Sequence, residues 1–233
     1  KLGLKDGESI DHPWINKALE RAQQKVETRN FDIRKTLIKF DNVLNDQRHV
    51  IFSQRKNAMN SERIFDYSEE FLNEIIDDLI QLKKQKLSNP KNKDFDNKLL
   101  LILSKNFQND ELEKIKTLND NLLKKKIIEK FNEMRVNRSK ILGEDGSKEI
   151  EKRIFLQSID LNWKSHIQYL EQLRQVIGLR SYGQRDPLIE YKKEAFSLFE
   201  NLLNKLKSDF ISILLNLKVV EKTDNENKKS DEN

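Results

Sequence analysis

Between Pro13 and Pro90 the chain contains neither glycine nor proline, so nothing along that stretch obliges a helix to stop. Within it, Ile15, Leu19, Ala22, Val26, Asn30, Ile33, Leu37, Phe40, Leu44, Gln47, Ile51, Gln54 and Ala58 succeed one another at intervals of three or four. That spacing predicts one continuous helix of roughly 45 residues, about 70 Å long, starting at Pro13 with Asp11 or His12 as its cap. Asn30, Gln47 and Gln54 are polar interruptions of the stripe. A second row, Ala18, Phe31, Ile38, Val43 and Val50, widens the apolar face. A helix with two apolar rows cannot bury both against itself and is expected to be a spine on which other elements dock. A dimeric coiled coil is the alternative, and the extra row and polar interruptions count against a simple two-stranded seam.

Beyond residue 60 the pattern shortens. Phe71, Leu72, Ile75, Ile76, Leu79, Ile80 and Leu82 predict a second helix ending near Lys86, followed by a loop over Ser88 to Asp94. Leu99 to Leu103 reads as a short apolar helix, Asp110 as the cap of the next one, and Leu118 to Arg138 as a further helix. Gly143 to Ser147 reads as a break. After it Phe155, Ile159, Trp163, His166, Leu170, Leu173 and Ile177, then Phe196, Phe199, Leu203, Leu206, Phe210, Ile213 and Leu217, keep helical spacing on either side of a short loop. Two such stripes are hidden by folding back as an antiparallel hairpin about 40 Å long. The expected fold is therefore all-α, with a spine over residues 1–60, a satellite bundle over 61–142, a two-helix hairpin over 143–217 and a polar tail over 218–233. Trp163, His166, Phe196 and Phe199 are the expected packing residues of the hairpin.

Chemistry is sparse. The six glycines form no phosphate-binding loop, and there is no cysteine to supply a thiolate ligand, a nucleophile or a disulfide. The three histidines, His12, His49 and His166, lack metal-ligand neighbours at helical spacing. Neither a catalytic residue nor a metal or cofactor site is expected in this chain. The net charge of +5 fits an anionic partner such as nucleic acid or a lipid surface, and equally a solvated helical surface with a mild basic bias. The run Lys124-Lys125-Lys126 reads as such a solvated face.

The hairpin tip is the exception. Gly178-Leu179-Arg180-Ser181-Tyr182-Gly183-Gln184-Arg185-Asp186-Pro187 sets an aromatic ring and two arginines between glycines. Gly178 is expected to close the first helix in a left-handed conformation, and Pro187 to open the second. Tyr182 has no stripe to join, so it reads as a contact residue with Arg180, Gln184 and Arg185 around it. The plain alternative is a loop tyrosine packed on its own hairpin.

These residues resemble a known family. Asp11-His12-Pro13-Trp14, Val26-Glu27-Thr28-Arg29-Asn30-Phe31-Asp32-Ile33-Arg34-Lys35 and Asn45-Asp46-Gln47-Arg48 are similar to the helical scaffold of SecA, the bacterial preprotein translocase ATPase. Leu156-Gln157-Ser158-Ile159-Asp160, Trp163-Lys164, His166, Leu173-Arg174-Gln175, Leu179-Arg180, Tyr182, Asp186-Pro187, Glu190-Tyr191-Lys192 and Phe196-Ser197 resemble its two-helix finger. Residues 62–138 correspond by position to the family's variable helical wing.

The resemblance implies that this is a piece of a protein-translocating ATPase whose ATP- and Mg-binding domains lie elsewhere, with no cofactor in the piece itself. It implies that Asn30, Arg34, Asp41 and Arg48 dock those domains. It also implies that Tyr182, with Arg180, Gln184 and Arg185, meets preprotein at the SecY channel. Implied partners are the channel, preproteins, an anionic phospholipid surface, the chain's own ATPase domains and a second copy in a homodimer; nucleic acid is not among them. The implied location is the cytoplasm and the cytoplasmic face of the inner membrane. Reading the chain as a basic nucleic-acid-binding or coiled-coil protein is the alternative. Two departures stand out: glycine follows Tyr182 where the family commonly has it before, and Phe40-Asp41-Asn42-Val43 replaces the usual Tyr-Asp-Asp-Val.

Overall fold

The computed structural model describes residues 13–60, 63–103, 109–179, 186–217 and 219. Among them are six helices and no strand: α1 (Pro13–Asn60), α2 (Ile64–Ser88), α3 (Asp94–Leu103), α4 (Asn109–Thr117), α5 (Asp120–Ile177) and α6 (Pro187–Asn216). The all-α expectation and the very long first helix are both met. Asp11 and His12, the expected caps, lie outside the described residues, as does nearly all of the polar tail. No described helix is long and apolar enough to cross a membrane.

The helices divide into two compact units. One comprises residues 1–48 and 170–195, the other residues 49–169 and 196–233. In the first, Leu170, Leu173 and Ile177 of α5 and Tyr191 and Ala195 of α6 are buried. Gln47 of α1 is buried too, and its Nε2 donates to the Ala195 carbonyl at 3.0 Å. The polar interruption of the stripe at 47 is thus a helix-to-helix hydrogen bond. N-terminal to residue 40, by contrast, every described side chain of α1 is exposed.

The second unit holds the larger core. α2 supplies Leu72, Ile75, Ile76 and Leu79, α3 supplies Phe95, Leu99 and Ile102, and α5 and α6 supply Phe131, Phe155, Phe210 and Leu214. Phe71, Phe155 and Phe210 meet pairwise with ring centroids 5.0–6.2 Å apart, within the range of favourable aromatic pairs. At the C-terminal end of α6, Ser212 Oγ donates to the Leu101 carbonyl at 2.9 Å, and Asn216 Nδ2 to that of Ile102 at 3.3 Å.

Several boundaries differ from those expected. α2 begins at Ile64, because Ile64 and Ser68 are core residues that extend its stripe by two turns. α4 begins at Asn109, so Asp110 lies inside its first turn and does not precede it. The Asn119 side chain caps α5 by accepting from the Leu122 N–H at 2.8 Å. The break expected over Gly143 to Ser147 is a single residue, Gly143, at φ 78° and ψ 167°. Glu144 and Asp145, which resemble loop residues in sequence, open the next helical segment, where the macrodipole favours acids. Glu144 also pairs with Lys148 at 2.8 Å.

Candidate functional site

Two local arrangements position residues singled out above, and a third involves residues that were not. The first is the contact of α1 with the neighbouring ends of α5 and α6. Phe40 meets Tyr191 edge-to-face at 4.9 Å, and Arg174 Nη1 donates to Asp41 Oδ1 at 3.0 Å. Burial pushes the Tyr191 hydroxyl above its usual value, opposed by Arg174. Asp41 therefore has a partner within the chain. Asn30, Arg34 and Arg48 are exposed.

The second arrangement packs α5 against α6. Trp163 and His166 stack with centroids 5.6 Å apart, and His166 lies 5.8 Å from the Phe199 ring. All three are buried, and burial pushes the His166 imidazole down to about 4. Phe196, expected in the same packing, is 61% exposed. The buried row of α6 is Tyr191, Ala195, Phe199, Leu202 and Leu206. Phe196 stands one residue, about 100°, off that row.

At the hairpin tip, α6 starts at Pro187 as expected. Asp186 caps it, its Oδ1 accepting from the Leu188 N–H at 2.8 Å and its carbonyl from Glu190 N–H at 3.1 Å. Gly178 does not take the left-handed conformation; among the described glycines only Gly143 has a positive φ. The end of α5 instead tightens into a 3₁₀ turn at 178–179, which satisfies terminal carbonyls without a left-handed residue. Arg180, Tyr182, Gln184 and Arg185 lie outside the described residues.

The third arrangement was not anticipated from the sequence. Glu151, wholly buried, accepts from Arg138 Nη2 at 2.8 Å, Arg135 Nε at 3.3 Å and Ser68 Oγ at 2.8 Å. Arg138 Nη1 donates to the Leu214 carbonyl at 2.8 Å. The Arg135 guanidinium lies 4.3 and 4.8 Å from the Phe65 and Phe131 rings, a favourable cation–π position. A signal was present: Phe131, Arg135 and Arg138, and Glu151 and Phe155, continue the apolar stripes at helical spacing, so their charges fall on core positions.

No group of three or more potential metal-ligating side chains occurs among the described residues. What the described residues do offer is apolar helix faces, helix caps and hydrogen-bonded helix contacts. Known proteins resemble the sequence over most of its length. The family model described as the SecA Wing and Scaffold domain matches residues 9–218. The chain belongs to this family. Among curated members of the SecA family, the protein translocase subunit SecA of Pelagibacter ubique (strain HTCC1062) is 72% identical over 221 residues, which are 95% of this chain and 26% of that protein. Protein translocase subunit SecA 1 of Nitrobacter hamburgensis (strain DSM 10229 / NCIMB 13809 / X14) is 44% identical over 225 residues, 94% of this chain and 23% of its own length. The chain thus spans about a quarter of the SecA relatives it matches.

Proposed function

We propose that the chain is the mechanical part of a SecA-type protein-export motor, coupling ATPase domains outside these residues to a two-helix finger that acts on preprotein at the SecY channel. The observation that carries this reading is the uncovered apolar face of α1: Leu19, Val26, Phe31, Ile33, Leu37 and Ile38 are all exposed on one helix. A single folded chain seldom leaves so much apolar surface in one place unless something docks there. The occupant proposed is the ATPase domains, with Asn30, Arg34 and Arg48 as polar contacts beside the apolar rows.

ATP and Mg belong to those domains, since this sequence has no phosphate-binding loop. The finger, α5 and α6 about the tip, carries Tyr182 to the preprotein, flanked by Arg180, Gln184 and Arg185. The working location is the cytoplasmic face of the inner membrane, against anionic phospholipid.

The test is Phe31→Asp with Ile38→Asp in the complete translocase. ATP turnover is expected to uncouple from preprotein movement, while the helix content of the isolated chain is unchanged because both side chains are exposed. Unaltered coupling would remove α1 as the docking face. At the tip, Tyr182→Ala is expected to slow preprotein translocation several-fold with ATP binding intact. Tight, salt-sensitive duplex DNA binding without channel binding would instead favour a nucleic-acid function.

A further inference from the structure

Helix continues on both sides of Gly143, where the backbone alone breaks. A Cβ added there would meet nothing within 4 Å, so crowding by a neighbour does not impose the bend. Glycine takes helical angles as well as left-handed ones, and helical angles at 143 would restore the backbone hydrogen bonds that the bend removes. For the backbone, an uninterrupted α5 is therefore an accessible alternative.

The charge network is not compatible with that alternative. Arg138 and Glu151 are 13 residues apart in sequence, and Arg135 and Glu151 are 16 apart. Along a straight helix these separations correspond to about 20 and 24 Å. An arginine and a glutamate side chain cannot together bridge such a gap, yet the pairs stand at 2.8 and 3.3 Å. The ion pairs exist only when α5 is bent.

We infer that Glu151, with Arg135, Arg138 and Ser68, forms a lock that selects the bent over the straight form of α5 and makes Gly143 a two-state hinge. The network is a poor device for stability alone. Buried ion pairs gain little over apolar groups of the same shape, and here Arg138 Nε is buried without a partner among the described residues. Its value lies in the conformation it chooses. The lock also ties the bend to its neighbours, because Arg135 reaches Glu69 of α2 at 2.7 Å and Arg138 reaches the Leu214 carbonyl of α6. Opening it removes these polar ties of the segment of α5 before Gly143 to both helices, leaving its apolar contacts through Leu123, Ile127 and Phe131 to hold it.

Pulsed electron paramagnetic resonance on the full 233-residue chain tests this. Nitroxides on Lys126→Cys and Gln157→Cys, two exposed positions flanking the bend, report alone because the chain has no other cysteine. A straight α5 would separate these positions by about 46 Å, and the unaltered network should give one shorter distance. In the apolar triple variant Arg135→Leu/Arg138→Met/Glu151→Leu, a second population near the straight value is expected. A folded triple variant with the same single short distance overturns the lock. If the triple variant does not fold, Gly143→Ala decides, because φ 78° with ψ 167° is a conformation essentially confined to glycine and alanine strongly disfavours it. A longer distance then supports the hinge, and an unchanged short one overturns it.

Discussion

Trp163 and His166 occupy successive positions of one α5 stripe, and the structure buries both against Phe199. Trp163 is 8% exposed, so Trp163→Ala should cost about 3–5 kcal/mol, read as a lowered denaturant midpoint. An unmoved midpoint would mean the ring is dispensable. His166 gives a pH dependence. Its folded value of about 4 lies below the ordinary 6.5, so between these values the unfolded chain holds a proton that the folded chain does not. The stabilisation is complete above pH 6.5 and is lost as pH falls towards 4, by roughly 3 kcal/mol at most. Melting temperatures of the native chain and His166→Phe across pH 4–7 should show the native chain losing more on acidification. Parallel curves would count against burial as the cause. Spacing alone identified Trp163, His166 and Phe199. It misplaced Phe196 because an apolar residue next to a stripe fits a three-or-four count almost as well as one on it.

Helix α1 was legible from end to end because it contains no breaker, and its stripe also contained Gln47. What the stripe could not say is which partner Gln47 meets, since Ala195 is 148 residues away. Replacing Gln47 by Ala removes that buried hydrogen bond and its packing, so unfolding should become easier by about 1–2 kcal/mol. Equal stability in chemical denaturation would show the bond to be incidental. The exposed pair Arg174–Asp41 should contribute under about 1 kcal/mol. In α5 the sequence pointed to the right glycine for the wrong reason. Gly143 looked like the start of a loop because Glu144, Asp145 and Gly146 follow it, whereas acids are also what a helix prefers in its first turn. Gly146 has a different role, since a Cβ there would stand 3.0 Å from that of Leu142. The Arg135–Arg138–Glu151 network escaped notice because charges are ordinarily read as solvated, and only their register with Phe131 and Phe155 marks them as core.

Across the molecule, burial is very unevenly distributed. α2 places Leu72, Ile75, Ile76 and Leu79 in a packed core, while residues 14–37 of α1 bury nothing. Packing rather than propensity supplies most helix stability, so opening should be far easier in the second region. Amide hydrogen exchange should be at least about a hundredfold faster over 14–37 than over 72–79 in the isolated chain. Equal protection would show that α1 is covered, for example by a second copy. The sequence made both regions look equally apolar; burial depends on what each face meets, and a stripe does not name its partner.

The contacts that do hold α1 also have a cost in time. Asp41 waits for Arg174, 133 residues later, and Gln47 for Ala195, 148 residues later. At translation rates of about 5–20 residues per second, the last of these partners is made roughly 7–30 s after Gln47 itself. For that interval on the ribosome α1 can be a helix but not yet part of a fold, its two apolar rows open to whatever else the cell offers.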